Sequence, residues 1–295
     1  MLSASLALLL VIAQADSLME KIQTRIASEP VAQVGLAYLD LGSSDTLFLN
    51  ADTSFHAAST MKVPVMIELF RRAAAHAFDL DQRLLLVNQF GSLADGSPYS
   101  LDPGSDSDST LYHRIGERIP VDTLLRLMIT RSSNLATNTV IALVGAEQVT
   151  QTMRSLGAER TQVRRGVEDQ KAFDKGLNNM TTARDLAIIM RAIEDGRAAP
   201  SATNAMREIL LAQEFNDKIP AGVPPGVRVA HKTGEITAHS HDAAIVYPPG
   251  GKPYVLVVLT RGIPDQARSN KLIADISTII YAHNAARNQR GSNGL

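Results

Sequence analysis

The apolar positions change texture along the chain. From Val31 to Asp40 the run VAQVGLAYLD reads as a strand, and FLNADTSF can pair with it beyond the Gly42–Asp45 turn. From His56 to Ala77 nearly every position is apolar or small, which predicts a buried helix rather than an amphipathic surface one. Two more helix-length runs follow, Val121–Ile129 and Leu135–Val144, the second stopped by Gly145, and Glu147–Leu156 then leads to Gly157. The best-punctuated helix starts at Thr182, with Thr182 and Asp185 as a capping pair. Leu186, Ile189, Met190 and Ile193 line one of its faces, and Gly196 closes it.

Strand character returns near the end. GVRVAHKTGEI alternates, and DAAIVY and YVLVVLTRG form a hairpin around the PPGGKP turn. A last helix carries Leu272, Ile276, Ile279 and Ile280 at helical spacing. The order is strand, helical block, then strand and helix, which predicts an α/β (α+β) chain. Residues 16–55 and 213–295 form an α/β domain, residues 56–212 a helical domain, and a cleft lies between them. Residues 1–15 read as a signal peptide, with an apolar Leu6–Ile12 core and a small-x-small Ala13-Gln14-Ala15 site. They lack the usual basic leader, since the first cation is Lys21. The mature protein is expected to be secreted or periplasmic.

Composition narrows the partners. The net charge of −1 offers no broad field to nucleic acid or anionic lipid, so a small molecule is expected as ligand, with no nucleic acid and no membrane as partner. The chain has no cysteine, which excludes disulfides, thiol catalysis and cysteine metal sites. The acidic stretch Ser97–Thr110 lacks the Ca2+-loop pattern and reads as a solvated surface loop.

The chemistry is carried by short motifs. Ser59 and Lys62 lie three apart, a spacing that stacks a hydroxyl and an amine on one helical face. A serine hydroxyl needs a neighbour to take its proton, and a lysine whose pKa is depressed by burial can do so. Ser132-Ser133-Asn134 falls between two helical runs, and Lys232-Thr233-Gly234 in a strand. Singly, these are a helix cap, a turn and a strand lysine. In this order and on these elements they point to one catalytic site.

The set resembles class A β-lactamases and the wider penicillin-recognising serine hydrolases. FHAASTMKVPV is similar to the family's nucleophile helix, MITRSSNLATNTVI to its second motif, and HKTGEI to its active-site strand. The resemblance implies a five-stranded antiparallel sheet with flanking helices joined to an all-helical domain, without metal or organic cofactor; a monomer is expected. It implies Ser59 as nucleophile, with the backbone N–H groups of Ser59 and Glu235 as the oxyanion site. Lys62 relays the serine proton, Ser132 protonates the leaving nitrogen, and Asn134 orients Lys62 and the substrate. Lys232, Thr233 and Gly234 belong to the substrate site, the first two facing a substrate carboxylate.

Glu168 stands where the family keeps the base that activates the deacylating water. It could instead pair with Arg164 or Arg165 as a loop strut. Ala172 replaces the family's usual asparagine four residues later, and uncharged Asn179 stands where a loop-closing aspartate is usual. His241 occupies the place of an arginine that supports the substrate carboxylate, and is expected to face the substrate. With His239 and Asp242 it could suggest a metal, but no further ligand is in view. The function implied is β-lactam hydrolysis. The alternatives are an acyl-serine esterase, a D-Ala peptidase, or a slowly deacylating penicillin-binding sensor.

Overall fold

The computed structural model describes residues 18–293, so the expected signal peptide lies outside the described residues. Five strands form one antiparallel sheet: β1 (Gln33–Asp40), β2 (Thr46–Leu49), β3 (Arg228–Ile236), β4 (His239–Tyr247) and β5 (Tyr254–Arg261), in the spatial order β2-β1-β5-β4-β3. Successive side chains of a strand point to opposite faces. Along β5, Val255, Val257 and Leu259 therefore enter one core, while Tyr254, Leu256 and Val258 enter another. Burial on both faces explains why these strands read as continuous apolar runs.

One face packs against the helix over residues 18–27 (α1) and the long terminal helix α9 (Gln266–Asn293), through Leu18, Ile22, Leu272, Ile273, Ile276 and Ile280. The other face meets the helical block. Its helices are α2 (Lys62–Ala74), α3 (Val121–Thr130), α4 (Asn134–Val144), α5 (Ala146–Ser155), α6 (Gln170–Asp174), α7 (Ala183–Glu194) and α8 (Thr203–Leu211). Every residue of α2 from Lys62 to Phe70 is buried, as expected for a helix that is apolar all round. Thr182 caps α7 by accepting from Asp185 N at 3.0 Å, the pairing read from the sequence. No helix among the described residues is long and apolar enough to cross a membrane.

The elements differ from expectation just before the nucleophile. The second strand ends at Leu49, because Asn50 turns left-handed (φ 46°) and donates from Nδ2 to Val34 O at 3.1 Å. Phe55 and His56 instead pair with Thr181 and Met180, and a 3-10 turn over Ala58–Met61 precedes α2. The sequence expected one continuous helix from His56.

Candidate functional site

Ser59 sits in that 3-10 turn, half-buried, and lines two adjoining cavities. The turn is held against β3 at Gly234, where a Cβ would stand 2.9 Å from both Ser59 N and Thr60 N. Only glycine lets the strand approach this closely, so the third motif and the nucleophile's amide share one wall.

Lys62 opens α2 with its side chain fully buried. Its Nζ donates to Ser132 O at 2.6 Å, Ser132 Oγ at 3.1 Å and Asn134 Oδ1 at 2.9 Å. Burial pushes this lysine down to about 7, against the opposing pull of the Asp106 and Glu168 carboxylates. Lys232, equally buried on β3, donates to Ser132 Oγ at 3.0 Å and to Thr233 O at 2.9 Å. Burial, reinforced by the Lys62 charge, holds it well below the lysine range. A serine oxygen has two lone pairs, and here two amines fill them. The O–H of Ser132 is thereby left to be donated.

Ser132 reaches this position by turning left-handed (φ 56°) between α3 and α4. Ser133 then caps α4, accepting from Ala136 N at 3.3 Å. Asp106 accepts from the backbone N–H groups of Asn134 and Leu135 at 2.9–3.0 Å and from the Tyr112 hydroxyl at 3.0 Å. The stretch read as a solvated loop therefore places a carboxylate on the helix start beside the second motif. Sequence reasoning missed Asp106 because a run of alternating serine and aspartate looks the same whether solvated or docked.

Glu168 lies across the cleft on a loop, and its Oε1 accepts from Asn134 Nδ2 at 2.6 Å. Asn134 thus joins Lys62 to Glu168. Burial pushes the Glu168 carboxyl up, opposed by the hydrogen bonds from Asn134 and Asp102. The loop is fastened by amides. Asn138, one turn along α4 from Asn134, accepts from Val167 N at 2.7 Å and donates to Val167 O at 3.1 Å. Asn179 Oδ1 accepts from Arg164 N and Arg165 N at 2.8 and 3.2 Å, and its Nδ2 donates to Arg165 O at 3.0 Å. Asn179 is thus bonded to the backbone of Arg164 and Arg165 and to neither guanidinium. The Arg165 guanidinium turns to Leu177 O, Gly166 O and Asn178. Neither arginine is bonded to Glu168, which speaks against the strut reading.

The expectation for His241 is corrected. It is fully buried, and its Nε2 donates to His56 O at 2.9 Å while its Nδ1 accepts from Thr260 N at 3.2 Å. Burial lowers it to about 3, so the ring is neutral and braces the strand ahead of Ser59. It faces neither cavity. The residue that does bring a cation there is Lys218, which nothing in its sequence surroundings singles out. Asp242 pairs with His231 at 3.0 Å instead of grouping with His239 and His241. No cluster of three or more potential metal ligands occurs among the described residues.

Ser59, Ser132, Thr233, Gly234 and Glu235 thus line one cavity, and Ser59, Asn134, Glu168 and Glu235 the other. Lys62 and Lys232 lie buried beneath the wall they share.

Residues 17–284 match the family model described as the "Beta-lactamase enzyme family". The β-lactamase of Bacillus licheniformis is 30% identical over 258 residues, covering 84% of this chain and 78% of the relative. Among solved structures, PBP-A is similar with a TM-score of 0.76 at 28% identity, covering 90% of this chain and 95% of that one. A β-lactamase from Sphaerobacter thermophilus DSM 20745 is similar with a TM-score of 0.75 at 28% identity, covering 91% and 97%. The three motifs meet in one cleft on a five-stranded antiparallel sheet, the family match spans residues 17–284, and the protein belongs to the β-lactamase enzyme family as a class A-like serine hydrolase.

Proposed function

We propose that the chain opens β-lactam rings through an acyl-serine intermediate on Ser59. The observation that carries this reading is the single hydrogen-bonded network of Lys62, Ser132, Asn134 and Lys232 at the wall that Ser59 lines. Ser59 Oγ adds to the lactam carbonyl as its proton passes to Lys62, whose neutral form is accessible near pH 7. The oxyanion lies between the N–H groups of Ser59 and Glu235, a role supported by the tight approach at Gly234. The C–N bond then breaks, and the nitrogen takes the proton of Ser132, which the adjoining lysines replace. Glu168 removes a proton from the water that attacks the ester, and that proton is returned to Ser59 Oγ as the acyl C–O bond breaks, freeing the serine and the ring-opened acid. The division into an α/β and a helical domain, with this cleft between them, is part of the same reading. So is secretion or residence in the periplasm, supported by the leader-like residues 1–15.

A second reading, slow deacylation, is favoured by one observation. Ala172 is fully buried in α6 and offers no polar group to a water beside Glu168. A mutant of PBP-A has been solved as an acyl-enzyme complex with penicillin G. Incubation with a chromogenic cephalosporin separates the readings. Sustained turnover is expected for the hydrolase, a stoichiometric burst followed by arrest supports slow deacylation, and intact substrate after long incubation contradicts both.

A further inference from the structure

The cavity lined by Ser59, Ser132 and Thr233 also contains a carboxylate of the protein's own. Lys218 lies in its wall with its side chain only 1% exposed, so its ammonium depends on protein acceptors rather than water. Those acceptors are the Glu235 carboxylate and Asp217 Oδ1, the latter at 3.3 Å. Glu235 follows Thr233 by two residues on β3, so both side chains stand on one face of the strand, and both line the cavity. The second oxygen of Glu235 accepts from the side-chain amide of Gln266 at the start of α9.

The other cations near this cavity are already engaged, with Lys232 one hydrogen bond behind its lining at Ser132. Lys232 is directed at Ser132 and Thr233 O, His241 is neutral and buried, and Arg131 is engaged by Glu214 at 2.9 Å. Among the described residues lining the cavity, Lys218 is the one cation.

We propose that Glu235 determines specificity by competing for Lys218 with a carboxylate on the leaving-group side of the substrate. This rests on the acyl-serine reading, which puts the leaving group beside Ser132. A substrate carboxylate entering here meets a cation already neutralised by Glu235, with Asp217 adding negative charge. It must displace or share that partner. A leaving group that carries no free carboxylate, or balances it with an ammonium group, avoids the conflict. The favoured substrates are acyl compounds of that class.

The test compares a cephalosporin bearing its free ring carboxylate with the methyl ester of the same compound, for wild type, Glu235→Gln and Glu235→Ala. The readout is the acid-to-ester ratio of kcat/KM, in which any general effect on folding or on the oxyanion site cancels. Both variants are expected to raise the ratio about tenfold, mainly by lowering KM for the acid, the scale of one partly exposed charge contact. Adding Lys218→Met to Glu235→Gln is expected to return the ratio toward wild type. An unchanged ratio in both single variants overturns the proposal while leaving the acyl-serine reading intact. If neither compound forms an adduct on Ser59, the acyl-serine reading falls and this inference with it.

Discussion

The two walls of the cleft are built differently. Ser59 and Lys62 stand at the entry to α2, Ser132 in the turn into α4 and Lys232 on the edge strand β3, and the two amines are buried and donate to acceptors within the protein. Glu168 stands on an irregular loop in a left-handed conformation (φ 60°), a backbone state it shares with Ser132 (φ 56°) and one that costs about 1–2 kcal/mol for a residue with a side chain. That loop is secured by the neutral side chains of Asn138 and Asn179 and by Asp169, which caps α6 and accepts from Ser92 Oγ at 2.7 Å. The acylating wall draws its precision from the core. The deacylating wall draws it from a few amide contacts, so the two half-reactions are expected to fail separately.

The largest expected effect is on the acylating wall. Ser59→Ala removes the nucleophile and is expected to lower kcat/KM by on the order of 10^4-fold in a cephalosporin hydrolysis assay. Retention of most activity would place the nucleophile elsewhere. Glu168→Gln strikes the other wall alone: deacylation slows by about 10^3-fold while acylation changes little, so the adduct accumulates in intact-protein mass spectra. Equal loss in both steps would contradict the separation of roles.

Asn179→Ala leaves two N–H groups and one carbonyl of Arg164 and Arg165 without their partner in a turn where Arg165 and Asn179 are buried and Arg164 is exposed. A loss of about 2–4 kcal/mol is expected in denaturant unfolding, with deacylation hurt more than acylation. A milder lever is pH. Lys62 lies below its ordinary value, at about 7, so it is a neutral base above that pH and gains a proton below it. Single-turnover acylation is expected to fall about tenfold per unit below pH 7 and to level off above it. A flat profile between roughly pH 5 and 9 would remove Lys62 as the base. The smallest effect belongs to Asp106→Asn. It removes a charge that raises Lys62, so the acid limb is expected to move to lower pH by less than about one unit. It also costs about 0.5–1 kcal/mol at the start of α4.

The sheet and most helices were legible because burial on both faces of a strand, or all round a helix, leaves unbroken apolar runs. YVLVVLTRG and KVPVMIELF show this directly. The motif residues were legible because their order and their placement on a turn, a loop and a strand agree with one site. What escaped notice depends on tertiary docking. Asp106 and Lys218 carry no local signature, since whether a loop aspartate or an isolated lysine is solvated is decided by elements far away in the chain. His241 was misplaced because sequence position cannot tell which way a strand residue points. In the structure its ring is fixed by His56 O, 185 residues distant.

The most direct measurement is a time course of intact-protein mass during reaction with a penicillin, with peptide mapping of the adduct. The acyl-serine mechanism predicts an adduct on Ser59 that forms rapidly and disappears as fast as ring-opened product appears. Product formed without any adduct on Ser59, or an adduct on a different residue, would contradict it.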